Sequence, residues 1–480
     1  MKICASLLVT WTFLLGSFIA PCETRIGLSV GLAASPELDV DREKERAASA
    51  PILVIKNITV VDGTNSAPRP NMVIIISDRR ILEVRSSRKF RVPRNARVVD
   101  GTGKYAIPGL WDMHVHLSEP SELTLLLSNG ITSVRDMGSD IKKIGAWRDA
   151  IASGRMLGPT IKTAGPILES SAELKDLRDR GTPEEVLTWR VAVSNPGSAK
   201  SVVESLAHRG VDFIKARSYA SVETYKAIAS ESRKVGLMFV GHPPFGLDID
   251  PEVVADAGQR TLEHGFFPYQ TDKLKPEDRE RIKRAYVRNG TVLVPTLIAW
   301  EWRQSPLKSA VELQSAGQCQ NISASIRRKL VSLWSQNLKD RRSESPNGQE
   351  SERTLGVWRS VLETNYRDLA GLRKGGVRIM PGTDEPPFVC PDGALAEELA
   401  LFVERLGMTP LEALQSVTSL PADLFGMGDA VGTIVAGKRA DIVVLTASPL
   451  TNIRNLRLVH AVVVGGAYHR TEQLRRHLQG

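Results

Sequence analysis

Two histidines one residue apart, His114 and His116, close the run Gly109-Leu110-Trp111-Asp112-Met113-His114-Val115-His116. Alternate residues of an extended strand share a face, so both imidazoles project together and can hold one metal ion. With 8 histidines in 480 residues, such a pair arises by chance about 0.13 times, and it carries weight only if other residues join it. Others do. Asp212-Phe213-Ile214-Lys215 places a lysine in an apolar run, Val240-Gly241-His242 and Leu262-Glu263-His264 each end on histidine, and Pro381-Gly382-Thr383-Asp384 ends on a carboxylate. A lysine among apolar residues is costly unless its charge is neutralised or altered. Taken singly, each of these residues also fits a satisfied core or rim position. His208, His460, His469 and His477 lack such a setting and read as ordinary surface or structural residues.

The elements that must position these groups follow from the hydrophobic pattern. Short apolar runs ending at His116, Asp136, Ala164, Ala216, His242, His264, Thr296 and Asp384 each read as a strand. Most follow a helix-like segment closed by glycine, as at Asn129-Gly130, Arg209-Gly210, Val235-Gly236, Asn289-Gly290 and Gly375-Gly376. Such alternation predicts an α/β fold with parallel strands and helical crossovers, and about eight units is what a (β/α)8 TIM barrel requires. The candidate ligands fall at the C-terminal ends of the strands, the face where barrel enzymes carry their sites. Outside this region, Ile52 to Val61, Met72 to Ile76, Ile81 to Val84 and Arg97 to Val99 are short β-branched runs. A similar texture returns in Thr433-Ile434-Val435, Asp441 to Leu445 and Ala461 to Val464, which predicts a small composite β-sandwich domain built from both ends of the chain. The expected organisation is a signal peptide at 1–22, a flexible segment at 23–50, an N-terminal sandwich segment at 51–107, the barrel at 108–424 and a C-terminal sandwich segment at 425–475.

Composition narrows the function classes. The chain is 42% hydrophobic and 24% charged, enough to bury a large core and unlike a disordered or multi-span membrane protein. A net charge of +9 is spread along the chain without a long basic run or zinc-finger spacing, which argues against nucleic acid as a partner. Lys2 followed by the apolar stretch Ile3 to Ala20 reads as a cleaved signal, giving a secreted or periplasmic protein with no stable membrane span in the mature chain; an uncleaved membrane anchor is the alternative. Cys319 and Cys390 would remain after cleavage, and either a disulfide or two free thiols fits them.

At these residues the chain resembles the amidohydrolase superfamily, specifically imidazolonepropionase-like members that include dipeptidases and prolidase-like enzymes. The resemblance spans about residues 52–470 and rests on Ile107 to His116, Thr132-Ser133-Val134-Arg135-Asp136-Met137-Gly138, Lys215, Glu263-His264-Gly265 and Gly382-Thr383-Asp384. Gly407 to Leu414, Gly432-Thr433-Ile434 and Gly437 to Val443 add to it. It implies a two-metal centre in which His114, His116 and Asp384 hold one ion, His242 and His264 the other, and Lys215, converted by CO2 to a carbamate, bridges them. A cationic lysine would repel the metals, whereas a carbamate offers an oxygen to each. Histidine-rich sites with carboxylates suit zinc, with manganese, cobalt and iron as other occupants. The implied activity is hydrolysis of C–N bonds by metal-activated hydroxide, with Asp384 as general base and then acid.

Substrate is less sharply written. Arg217 and Tyr219, just after Lys215, would suit a substrate carboxylate, hence a dipeptide or N-acyl amino acid; local packing of both is the competing reading. Arg135 and Asp136 are expected to pair and steady the site. Segments of about 165–198 and 298–351 are expected to overhang it as insertions, the second carrying Trp300, Trp302 and Cys319. Cyclic-amide hydrolysis or deamination would use the same activated water, and a catalytically dead extracellular binding protein is the alternative from another class.

Overall fold

The computed structural model describes residues 51–245, 247–265, 275–304, 322–343, 352–384 and 392–479. The expected signal peptide and N-terminal segment, Cys319 and Cys390 lie outside the described residues. Among those described, no helix is long and apolar enough to cross a membrane.

The β-branched runs near the N-terminus form β1 (Leu53–Val60), β2 (Arg69–Ser77), β3 (Arg80–Ser86), β4 (Arg97–Asp100) and β5 (Tyr105–Pro108). Then come β6 (Leu110–Val115), β7 (Ile131–Asp136) and β8 (Thr160–Thr163), which make a three-stranded parallel sheet in that order. A seven-stranded parallel sheet follows, built from β9 (Ile167–Glu169), β10 (Arg190–Ala192), β11 (Phe213–Ala216), β12 (Met238–Gly241), β13 (Gln259–Glu263), β14 (Val292–Val294) and β15 (Arg378–Ile379). Its order is β10-β9-β11-β12-β13-β14-β15. All six residues of β6 and of β7 are buried, as expected for parallel strands covered on both faces.

Backbone hydrogen bonds also run between the two parallel sheets. Asp212 N donates to Thr163 O at 2.9 Å on one side, and Met113 N to Pro381 O at 3.1 Å and Asp384 N to His114 O at 2.8 Å on the other. The last of these brings the segment after β15 directly beside the His114 strand.

Strands from both ends of the described chain meet in one sheet. β16 (Ile442–Leu445), β17 (Val459–Val464) and β18 (Ala467–Arg470) join the first five strands in one eight-stranded sheet, ordered β18-β17-β16-β5-β1-β2-β3 with β4 on β1. The junction is the antiparallel pair β16 and β5, where Val443 faces Ile107. Thr433-Ile434-Val435 departs from the expectation and forms no strand. Ile434 is instead buried against this sheet's core, and its N–H bonds to Asp62 O at 3.0 Å, while Val435 is exposed.

The segment 165–198 is more than an overhang: it contributes β9 and β10 to the parallel sheet, with the helices Ser171–Asp179 and Glu184–Leu187 between them. In the segment 298–351, the described residues are helical over Leu297–Gln304 and Ala324–Ser343.

Candidate metal centre

All six residues singled out as ligands lie at or just beyond strand C-termini: His114 on β6 and His116 just after it, Lys215 on β11, His242 after β12, His264 after β13 and Asp384 after β15. The structure brings them together. Asp384 Oδ1 lies 3.3 Å from His114 Nε2 and 3.5 Å from His116 Nε2, and its Oδ2 lies 3.9 Å from His264 Nδ1. Lys215 Nζ is 3.5 Å from His114 Nε2. The His264 ring stands between two others, with centroids 4.7 Å from His114 and 4.6 Å from His242. Ligand atoms of His114, His264 and Asp384 all fall within 4.8 Å of one another, a spacing that one ion can span.

Glycine permits two of the close approaches. A side chain at Gly382 would put its Cβ 2.6 Å from the Cβ of His114, and one at Gly241 would put it 2.0 Å from Ala216 O. Asp112 completes the stitching of β6 to the Asp384 segment. It accepts from the N–H of His114 at 3.0 Å, the N–H of Thr383 at 3.1 Å and the Thr383 hydroxyl at 2.7 Å. Burial pushes the Asp112 carboxyl up to about 6, against the pull of these donors.

The surrounding shell fixes ring orientation. His114 Nδ1 lies 2.9 Å from Glu263 Oε2, and His116 Nδ1 lies 3.1 Å from Gly138 O. A carboxylate and a carbonyl can only accept, so each Nδ1 carries the proton and each Nε2 lone pair faces inward. Glu263 is wholly buried and is held in turn by Arg135, whose Nη2 reaches both carboxylate oxygens at 2.8 and 2.9 Å, and by the Thr261 hydroxyl. This corrects the expected Arg135–Asp136 pair. Neighbours on a strand point to opposite faces, and Asp136 turns to Thr163, Ser139 and the N–H of Leu117. The true partner, 128 positions from Arg135, is the acidic half of Glu263-His264-Gly265.

The second expected pair has other engagements. Arg217 donates from Nε to Glu169 at 2.5 Å and from Nη2 to Glu173 at 2.7 Å, and Arg190 shares Glu169. Tyr219 is buried and donates its hydroxyl to His242 O at 2.7 Å. Trp189, which the sequence did not single out, sets its ring 6.4 Å from that of His116.

Electrostatics fit a cation site. Burial, then the charges of Lys215 and the neighbouring imidazoles, drive His114 well below the usual histidine range, and burial acts likewise on His242. Both therefore present neutral nitrogens at neutral pH. Burial raises the Asp384 carboxyl, but His264, His116 and Lys215 together outweigh it and keep the group ionised. Burial lowers Lys215 to about 8, against the attraction of Asp384 and Glu263. Neutral His114 and His242, an ionised Asp384 carboxylate and a lysine whose proton is held less tightly than usual form a donor set suited to divalent metal.

Residues 105–468 match the amidohydrolase family. The chain belongs to that family. It is similar to the ochratoxinase of Aspergillus niger, 23% identical over 445 residues that cover 81% of this chain and 80% of the relative. Among solved structures it resembles a Xaa-Pro dipeptidase with methionine bound in the active site, with a TM-score of 0.65, 21% identity and coverage of 87% and 100%. It also resembles bottromycin amidohydrolase, with a TM-score of 0.66, 21% identity and 92% of each chain covered.

Proposed function

We propose that the protein is a binuclear metal-dependent hydrolase of amide or peptide-like C–N bonds, acting on dipeptides or N-acyl amino acids. The observation that carries this reading is the convergence of His114 Nε2, His116 Nε2 and Lys215 Nζ with the Asp384 carboxylate, 3.3 to 3.5 Å apart in successive pairs. His114, His116 and Asp384 would hold one ion and His242 and His264 the other, most suitably zinc, with Lys215 as a bridging carbamate. When bound, such ions lower the pKa of water toward 7 and polarise the scissile carbonyl. Neutral Lys215 would add to CO2 through Nζ and release one proton. Asp384 would accept the water proton at its carboxylate and deliver it to the leaving nitrogen. Arg217, near enough to act on the charge of Lys215 and His242 while paired with Glu169 and Glu173, would meet a substrate carboxylate from that position. Tyr219 would act there through its bond to the His242 carbonyl.

The architecture this reading assumes is a (β/α)8 barrel over 108–424, formed by the two parallel sheets, beside a composite sandwich of 51–107 and 425–475. Lys2 and the apolar stretch Ile3 to Ala20 support removal of residues 1–22 and a secreted or periplasmic destination.

The test is a screen of zinc-loaded protein against dipeptides and N-acyl amino acids varied at the C-terminal residue, run beside Lys215→Ala. Hydrolysis that a chelator abolishes and zinc restores, with loss of at least one metal and most turnover in the variant, is expected. Normal metal content and turnover in Lys215→Ala would refute the bridging role.

A further inference from the structure

His264 has φ of +65°, in the left-handed region that costs a non-glycine residue roughly 1–2 kcal/mol and persists only where neighbours over-determine it. One short segment supplies those neighbours. Val294 O accepts the His264 N–H at 2.9 Å, Trp300 Nε1 donates to the His264 carbonyl at 2.8 Å, and Thr296 Oγ1 lies 2.8 Å from the ring Nδ1. Thr296 itself has φ of +48°. Backbone donor, backbone acceptor and imidazole of His264 are thus all held from the segment Val294–Trp300, which runs from the end of β14 through Thr296 into the helix Leu297–Gln304.

That helix is seated by one buried side chain. Glu398, on the helix Ala394–Glu404 and wholly buried, accepts from the N–H of Leu297 at 3.0 Å and of Ile298 at 2.7 Å, one on each carboxylate oxygen. Ile298 and Ala299 pack on Ala394 beneath it, and the Tyr366 hydroxyl bonds to Glu301 on the same helix. Fixing the first turn sets the rotation of the helix, and rotation decides whether the Trp300 indole N–H meets the His264 carbonyl.

We propose that Glu398 and Trp300 are positioning residues for His264: Glu398 seats the helix, and Trp300 transmits that seating to the ligand's backbone. The inference rests on the metal-centre reading and adds to it a determinant of metal affinity that does not touch the ligands' side chains.

The test compares zinc retention against a competing chelator in folded wild type, Trp300→Phe, Glu398→Ala and Glu398→Gln, together with crystal structures of the zinc-free proteins. Trp300→Phe keeps an aromatic side chain but removes the indole N–H with its five-membered ring, and about 10-fold weaker retention is expected. Glu398→Ala should lose up to about 100-fold, with partial rescue in Glu398→Gln, which keeps one acceptor oxygen. In the crystals, His264 should leave its left-handed conformation in Glu398→Ala. Variants that melt earlier yet retain zinc like wild type would reduce both residues to structural ones and overturn the proposal. A His264 that keeps its conformation in both Trp300→Phe and Glu398→Ala would overturn it as well. Should wild type hold no zinc, the metal-centre reading fails, and the crystals still decide the positioning.

Discussion

The two halves of the candidate metal centre are held in different ways. On the β6 side, His114 and His116 are fixed through their rings, by Glu263 and by the Gly138 carbonyl. On the other side, His264 is fixed largely through its backbone, in a left-handed conformation clamped by Val294 and Trp300, while the His242 carbonyl takes the Tyr219 hydroxyl and the Gln259 amide. The first half should respond to changes of charge, because a carboxylate on Nδ1 raises the basicity of the ligand nitrogen. The second should respond to changes of conformation.

Asp384 is common to both halves, and its loss should have the largest effect: Asp384→Asn is expected to lower kcat by about 10²–10⁴-fold, read in steady-state kinetics. Next comes Glu263→Gln, which leaves the buried Arg135 guanidinium without its charge partner and should cost about 3–5 kcal/mol in denaturant unfolding. Adding Arg135→Met should recover some of that loss; no recovery would place the cost elsewhere.

Glu398 sharpens the contrast through pH. Burial raises its carboxyl to about 8 from an ordinary 4.5, so the folded protein holds a proton that the unfolded chain has released. The stabilisation is full below about pH 4.5 and is lost as pH rises through 8. Wild type measured against Glu398→Gln should therefore lose up to about 1.4 kcal/mol per pH unit across that window. A flat difference would mean that Glu398 is ionised throughout. The smallest effect is expected from Thr296→Ala, which removes the hydroxyl from His264 Nδ1 at about 1 kcal/mol of stability and weakens metal retention more than melting would suggest.

The eight strands expected in the middle of the chain are all present, because a fully buried parallel strand leaves an apolar run, and on five of them a candidate ligand lies at or just beyond the end. β9 and β10, three residues each, lie inside the segment read as an insertion and carry no candidate ligand to mark them. The six site residues were legible because they interrupt five of these apolar runs at or next to their ends. Their supports were not. Glu263, Glu398 and Trp300 act across distances in sequence that only folding closes, and adjacency in the chain suggested Asp136 for Arg135 where strand geometry sends the two side chains apart.

Elemental analysis of zinc-loaded protein, freed of loosely held metal, tests the central claim most directly. Two ions per chain in wild type, falling to one or none in Lys215→Ala, is the expected result. A wild-type chain that keeps at most one ion, or a variant that keeps both, would contradict the account.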